Sequence, residues 1–305
     1  MKDTIMFCGK GGVGKTTCAA ATALHYAAEG KETLIISTDL TPSLRDIFEL
    51  DNAANKEKPA RITKGLYLNE IGSEEVKELW DNKFGAEVYE VFSSFVDIGY
   101  EVFIDFVASM LPGIRDEFMV DYIRELSESG RYEQIVWDTA PAGQTLGLLR
   151  MPSIVNAHLK PAPRIYATLK TTGRGRHSIQ RVIKGWEELS SKDIDFLKNE
   201  VEFNLVTIAE ALAVRQLDGI FGEFHSHGLN IDHIIINQVV TEPDSSFLQS
   251  KASMQQSYIS EIVTRYRQNQ RILPLFPYEI KGIAKLKEVE RMLFSNDYSS
   301  RPYPP

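Results

Sequence analysis

Cys8-Gly9-Lys10-Gly11-Gly12-Val13-Gly14-Lys15-Thr16-Thr17 decides the fold, because it contains the pattern G-x-x-x-x-G-K-T. That pattern belongs to loops that wrap nucleotide phosphates. Glycines let the backbone turn tightly with its N–H groups inward, and the following helix N-terminus adds partial positive charge where the anion sits. Gly11, Gly12, Val13 and Gly14 supply the expected cradle, with Thr17 in the helix behind it. Lys15 is placed to reach the β- and γ-phosphates, and the Thr16 hydroxyl to hold Mg²⁺. The flanks agree: Thr4-Ile5-Met6-Phe7 reads as a buried strand, and Thr16 to Glu29 as a helix closed by Gly30.

Working outward, 305 residues suffice for one large domain or two, with a substantial core. Hydrophobic residues make up 43% and charged residues 25%, the range of ordinary globular proteins. The net charge of −8 argues against a general nucleic-acid binder. No apolar run is long enough to span a bilayer, and Met1-Lys2-Asp3 does not open a signal peptide. The two cysteines, Cys8 and Cys18, sit in or beside the loop. Two cysteines make no disulfide framework and fit a reducing cytosol, so a cytoplasmic location is expected.

Thr33-Leu34-Ile35-Ile36-Ser37 is a second apolar strand, ending at Thr38-Asp39. Strand, loop, helix, strand opens a parallel α/β sheet, whose ligands lie at the carboxyl ends of the strands. Asp39 is thereby expected on the rim of the phosphate loop. Further strands are predicted at Leu66–Glu70, Gln134–Trp137 (ending in Asp138), Phe203–Thr207, Ile234–Ile236 and Arg271–Leu273. The predicted fold is therefore α/β: a parallel-type central sheet flanked by helices, with a helical subdomain inserted between strands. Residues 1–305 are expected to form one such domain, with helical insertions at approximately 74–125 and 159–200.

The insertions differ in character. Phe84, Val88, Val91, Phe92, Phe95, Val102, Phe103, Phe106 and Met110 recur at helical spacing, widened by Val96, Ile98, Ile104 and Val107. A helix buried by its own domain and a groove for an apolar partner both fit this stripe. Glu70 to Asp105 holds ten acidic residues against two lysines, whereas Lys160 to Trp186 holds seven basic residues and no carboxylate. Such runs are usually solvated faces, and complementary ones can pair.

Lys10 is a second lysine where a phosphate loop needs only Lys15. Here the chain resembles the deviant Walker A class of NTPases, in which the early lysine crosses to a partner's nucleotide. That resemblance implies a homodimer with two ATPs facing across the interface; a plain surface lysine is the alternative. Further stretches point to one branch, the ArsA and tail-anchored-protein targeting ATPases. Ser37-Thr38-Asp39-Leu40-Thr41-Pro42-Ser43-Leu44-Arg45-Asp46-Ile47-Phe48 is similar to their first switch, and Asp138-Thr139-Ala140-Pro141-Ala142-Gly143-Gln144-Thr145-Leu146 to their second. Pro112–Glu117, Ile236-Asn237-Gln238 and Pro274–Gly282 match their remaining motifs in order.

Roles follow from chemistry and from the resemblance together. Phosphoryl transfer to water needs positioning and charge neutralisation. Asp39 is suited to orient the attacking water, with a structural aspartate as the alternative. Asp138 is suited to hold the water shell of Mg²⁺ bound at Thr16. Gly143 offers a hinge and a free N–H to sense the γ-phosphate. The resemblance implies that Asn237 reads adenine, with Pro274 and Pro277 against the base, and that ATP and Mg²⁺ are the cofactors.

Where the eukaryotic targeting ATPases carry zinc-binding cysteines, this chain has Ser245 and Leu248, so a dimer would be held without zinc. Neither cysteine lies outside the loop or its helix, which leaves an arsenite-activated site unsupported. Leu40-Thr41-Pro42 and Gln144 also depart from the family pattern. The expected function is a Mg-ATP-driven homodimeric ATPase whose cycle opens and closes a helical surface for hydrophobic, tail-anchored-like membrane proteins or a membrane receptor. The alternatives are an anion-pump-driving ATPase and a partitioning or septum-site switch.

Overall fold

The computed structural model describes residues 2–39, 43–50, 58–93, 96–110, 112–161 and 173–294. They fall into two compact units: residues 1–70, 129–146 and 200–305 in the first, and 71–128 and 147–199 in the second.

The first unit is built on an eight-stranded sheet ordered β3-β4-β2-β5-β1-β6-β7-β8. Its strands are β1 (Thr4–Gly9), β2 (Thr33–Ser37), β3 (Ala60–Thr63), β4 (Leu66–Glu70), β5 (Gln134–Asp138), β6 (Val201–Ile208), β7 (His233–Val239) and β8 (Asn269–Pro274). Every pairing is parallel except the antiparallel β3–β4 edge. β1, β2 and β5 are buried along their whole length, which is why they read as unbroken apolar runs rather than alternating ones.

Register fixes the rim. Asp138 pairs with Phe7 on one side and Ser37 on the other, while Gly9 pairs with Val206 of β6. β1 therefore ends among its neighbours' carboxyl ends, where the chain turns into helix α1 (Lys15–Ala28). The alanine-rich face of α1 allows close approach to the sheet, and Cys18, Ala19, Ala20, Ala21 and Ala23 are completely buried there. Leu286, Val289 and Leu293 of the C-terminal helix Gly282–Phe294 join the same core. His25 of α1 stacks on Phe294 with ring centroids 3.7 Å apart. The unit also contains the short helix α2 (Leu44–Ile47).

The second unit is helical: α3 (Ser73–Trp80), a π-helical turn Asp81–Gly85, α4 (Ala86–Ser93), α5 (Tyr100–Met110) and α6 (Pro112–Glu128), then most of α7 (Ala142–Leu159), and α8 (Gly173–Asn199). Returning to the first unit, α9 (Ala211–Ser226) follows β6, α10 (Ser246–Arg265) follows β7, and the C-terminal helix is α11.

The apolar stripe from Phe84 to Met110 divides between these helices. Residues 96–99 leave the helical conformation, and the Tyr89 hydroxyl donates to the Ile98 carbonyl at 2.8 Å, closing a helical hairpin. Phe103, Ile104 and Val107 turn inward, with the rings of Phe92 and Phe103 5.2 Å apart. Val96, Val102 and Phe106 face outward. One face is thus core and another is open; Phe95 lies outside the described residues. The acidic and basic segments do meet, at Arg181 with Glu87 and Glu90, 3.4 and 3.2 Å away. All three are exposed, so the pairs contribute little.

A buried ionic cluster holds α6 to α8. Arg124 donates to Asp193 at 2.7 Å and to both Glu128 oxygens at 2.8 Å. It also bonds Asp121, which Lys83 bonds from the π-helical turn. Burial raises the Asp193 carboxyl to about 7 despite the Arg124 hydrogen bond, and Asp193 Oδ2 has no hydrogen-bond partner.

Candidate functional site

Two glycines of the loop are dictated by close approach. Gly9 has φ +147°, and a Cβ there would lie 2.2 Å from the Val206 carbonyl oxygen of β6. Gly14 has φ +95°, and a Cβ there would lie 2.3 Å from the Asn237 amide nitrogen. Only glycine tolerates both demands. Lys15 and Thr16 then open α1 at its positive end.

The Lys15 ammonium donates to the Lys10 carbonyl at 3.2 Å, across the mouth of the loop. Burial pulls Lys15 below the usual lysine range, while Asp138 and Asp39 oppose that shift. The Thr16 hydroxyl donates to Asp138 Oδ2 at 2.9 Å and accepts from Ser43 at 3.3 Å. Asp138 is 1% exposed and its other oxygen, Oδ1, is buried without a hydrogen-bond partner. Desolvation raises its carboxyl to about 7 against the pull of Thr16 and Lys15. A hydroxyl and an orphaned buried carboxylate oxygen side by side form a hard oxygen set that fits Mg²⁺.

Around this centre, the Asp39 N–H donates to Ser37 Oγ at 3.2 Å, and the Thr38 N–H to the Asp138 carbonyl at 3.2 Å, tying the first switch to the rim. Leu40-Thr41-Pro42 lies outside the described residues. The second switch is pinned by Thr139, whose hydroxyl donates to the Phe7 carbonyl at 2.6 Å, and by Thr145, which bonds Thr139 at 2.9 Å. Gly143 is the second residue of α7, and a Cβ there would meet nothing within 4 Å, so this conformation does not itself demand glycine. Lys10, Gly11, Pro141, Gly143 and Glu223 line an open cavity of about 410 Å³.

A second cavity of about 600 Å³ adjoins the loop between Gly14, Thr17, Asp46, Asn237, Pro274 and Tyr278. Pro274 lines it and Pro277 does not, although Phe276 and Tyr278 on either side of Pro277 do. Asn237 lines this cavity; its amide donates to the Val13 carbonyl at 2.8 Å and its oxygen accepts from the Gln238 N–H at 2.8 Å, so each end of the carboxamide makes one backbone bond and keeps one further hydrogen-bonding site. Cys8 and Cys18 are fully buried and their thiols are pushed up to about 12, which leaves both unreactive.

Sequence reasoning passed over Glu70 and Ser43. Glu70 Oε1 accepts from the N–H groups of Leu44 and Arg45 at 2.7 and 3.1 Å, fixing the start of α2. Its position at the end of a predicted rim strand was the available signal. Ser43 carried none.

A mostly parallel sheet with a glycine loop at the end of β1, and a lysine, hydroxyl and carboxylate converging there, defines a P-loop NTPase. The match of residues 2–295 to the ArsA ATPase family, described as anion-transporting ATPase, makes the assignment specific: the chain belongs to that family and is an ATPase. It is similar to the putative arsenical pump-driving ATPase 2 of Aquifex aeolicus, 27% identical over 94% of this chain and 97% of the relative. It is likewise similar to ATPase GET3A of Arabidopsis thaliana, 29% identical over 92% and 80% of the two chains. ATPase ASNA1 homolog 1 of Paramecium tetraurelia is 27% identical over 93% and 90%. Among the described residues no helix is long and apolar enough to cross a membrane.

Proposed function

We propose that this chain is a Mg-ATP-dependent homodimeric ATPase of the cytoplasm whose hydrolysis cycle opens and closes a helical surface for hydrophobic, tail-anchored-like membrane proteins. In this reading residues 1–305 act as one P-loop domain with helical parts near 74–125 and 159–200. The observation that carries the nucleotide chemistry is the pairing of Thr16 with Asp138 beside an orphaned carboxylate oxygen.

ATP would lie with its triphosphate on Gly11 to Thr17 and its nucleoside in the cavity of about 600 Å³. Magnesium, when bound, supplies charge neutralisation on the β- and γ-phosphate oxygens. Thr16 and Asp138 would hold it, the latter through water. Lys15 leaves the Lys10 carbonyl for the phosphates, Asp39 orients the attacking water, and the Gly143 N–H senses the γ-phosphate.

Among the described residues the Lys10 side chain has no hydrogen-bond or ion-pair partner, only its carbonyl being engaged by Lys15, which supports a role across a dimer interface. Lys10→Ala should leave ATP binding by the monomer intact while impairing ATP-dependent dimerisation and turnover; sedimentation with and without ATP reads the first, phosphate release the second. Unchanged turnover would remove the trans lysine from the reading.

The client rests on the GET3- and ASNA1-named relatives and on the outward face of Val96, Val102 and Phe106. An Asp39→Asn dimer locked with ATP should capture a peptide carrying a hydrophobic C-terminal anchor. Failure to capture it, with the dimer intact, would sink the client. An anion-pump-driving role is the second reading, favoured by the Aquifex relative's name.

A further inference from the structure

β7 is interrupted at its carboxyl end. The register with β8 slips between Ile236 and Val239, and Gln238 adopts φ +58°, a left-handed conformation uncommon outside glycine. Such a kink persists only where surrounding contacts over-determine it. The contact that does so comes from Gln255, in the middle of α10. Its oxygen accepts from the Val240 N–H at 2.8 Å and its amide donates to the Gln238 carbonyl at 2.9 Å. One buried side chain, 1% exposed, thus replaces the ladder bonds lost at the slip.

The kink has a consequence at the phosphate loop. It turns the Gln238 N–H onto the Asn237 oxygen, which fixes the flip of that carboxamide and directs its amide at the Val13 carbonyl. The same amide nitrogen stands where a Cβ of Gly14 would be. Gln238 Nε2 adds a weak contact to the Gly12 carbonyl at 3.5 Å. Two of the loop's carbonyls are therefore held from behind, and a held carbonyl fixes the direction of the next N–H, the group that faces phosphate.

We propose that Gln255 is a positioning residue for ATP, acting through Asn237 to hold Val13 and Gly14 in the phosphate-binding conformation. It touches no nucleotide. The proposal rests on ATP binding at this loop as argued above. Its chemistry is specific: one neutral group must accept at one end and donate at the other, which a carboxylate or an apolar side chain cannot do.

The test is a double-mutant cycle on the full chain with steady-state ATPase kinetics. Gln255→Leu should raise KM for ATP roughly tenfold with little change in kcat, the size expected when buried hydrogen bonds are broken in the binding step. Asn237→Ala should raise KM comparably, and the double variant should be no worse than the poorer single one, because both act along one chain of contacts. Gln255→Glu, which keeps the acceptor and loses the donor, should give an intermediate KM and covers the case in which the leucine variant does not fold. An unmoved KM in the folded variants, or effects that multiply in the double variant, would overturn the proposal. Lys15→Ala run in parallel separates the two levels. If it abolishes turnover while the Gln255 variants keep the parental KM, only the Gln255 role falls; if it leaves turnover intact, the loop is not the site and both fall.

Discussion

Thr16 and Asp138 lie 122 positions apart, yet the threonine hydroxyl donates to Asp138 Oδ2 at 2.9 Å, while Asp138 Oδ1 stays buried with no partner. An unmade hydrogen bond on a desolvated carboxylate destabilises the ligand-free protein. Replacing Asp138 with asparagine keeps an acceptor for Thr16 and removes the charge. ATP turnover should then fall on the order of a hundredfold, as when one preorganised electrostatic group is deleted from an active site. Phosphate release across a magnesium titration measures it; an unaltered magnesium dependence would count against the Thr16–Asp138 pair as the metal site.

Gly14→Ala meets two penalties at once, the positive φ and the Asn237 amide 2.3 Å from the new Cβ. Stability should drop by about 1–3 kcal/mol, and ATP affinity should be lost because Val13 and Gly14 shift together. Denaturant melts and nucleotide titration report the two effects separately. Wild-type affinity in the alanine protein would show that this loop conformation is not the binding one.

Glu70 holds α2 through two backbone N–H groups, and α2 follows Ser43, which bonds Thr16. Glu70→Ala should cost about 1 kcal/mol locally, the scale of a lost cap. Amide exchange of Leu44 and Arg45 should quicken and kcat should fall, while the global melting temperature barely moves. Unchanged exchange at those two amides would exclude the cap.

The buried cluster of the helical unit makes a pH prediction. Asp193 is faced by Arg124, Asp121 and Lys83, and burial raises it from 3.8 to about 7. The folded state therefore keeps this proton in a range where the unfolded chain releases it. Stability from this group is complete below about 3.8 and is lost progressively as pH rises toward about 7. Asp193→Asn, still able to accept from Arg124, should lose less stability than the parent between those limits. Parallel pH profiles of the two proteins would refute the shift.

How much of this was legible beforehand varies with the range of the interaction. The phosphate loop, the rim position of Asp39 and Asp138, and every strand of the sheet except β3 followed from local rules: glycine freedom, uninterrupted apolar runs and the strand-to-helix alternation. The antiparallel β3 edge was not read, since Ala60-Arg61-Ile62-Thr63 is short and half exposed. The stripe from Phe84 to Met110 has a helical period, but period cannot say that residues 96–99 break it into two helices with one buried face and one open face. Asn237 was recognised as a site residue, yet the partner of its carboxamide depends on a kink held from another helix.

The sequence by itself therefore determined the class of protein, because the phosphate loop and the two switches are contiguous stretches whose backbone needs are written in their own residues. Only the tertiary structure decided which side chains support them. Glu70 and Gln255 do so through hydrogen bonds to residues distant in the chain, and Arg124 and Asp193 meet in the same way inside the helical unit; a single polar residue carries no local signal of the group that burial will place beside it.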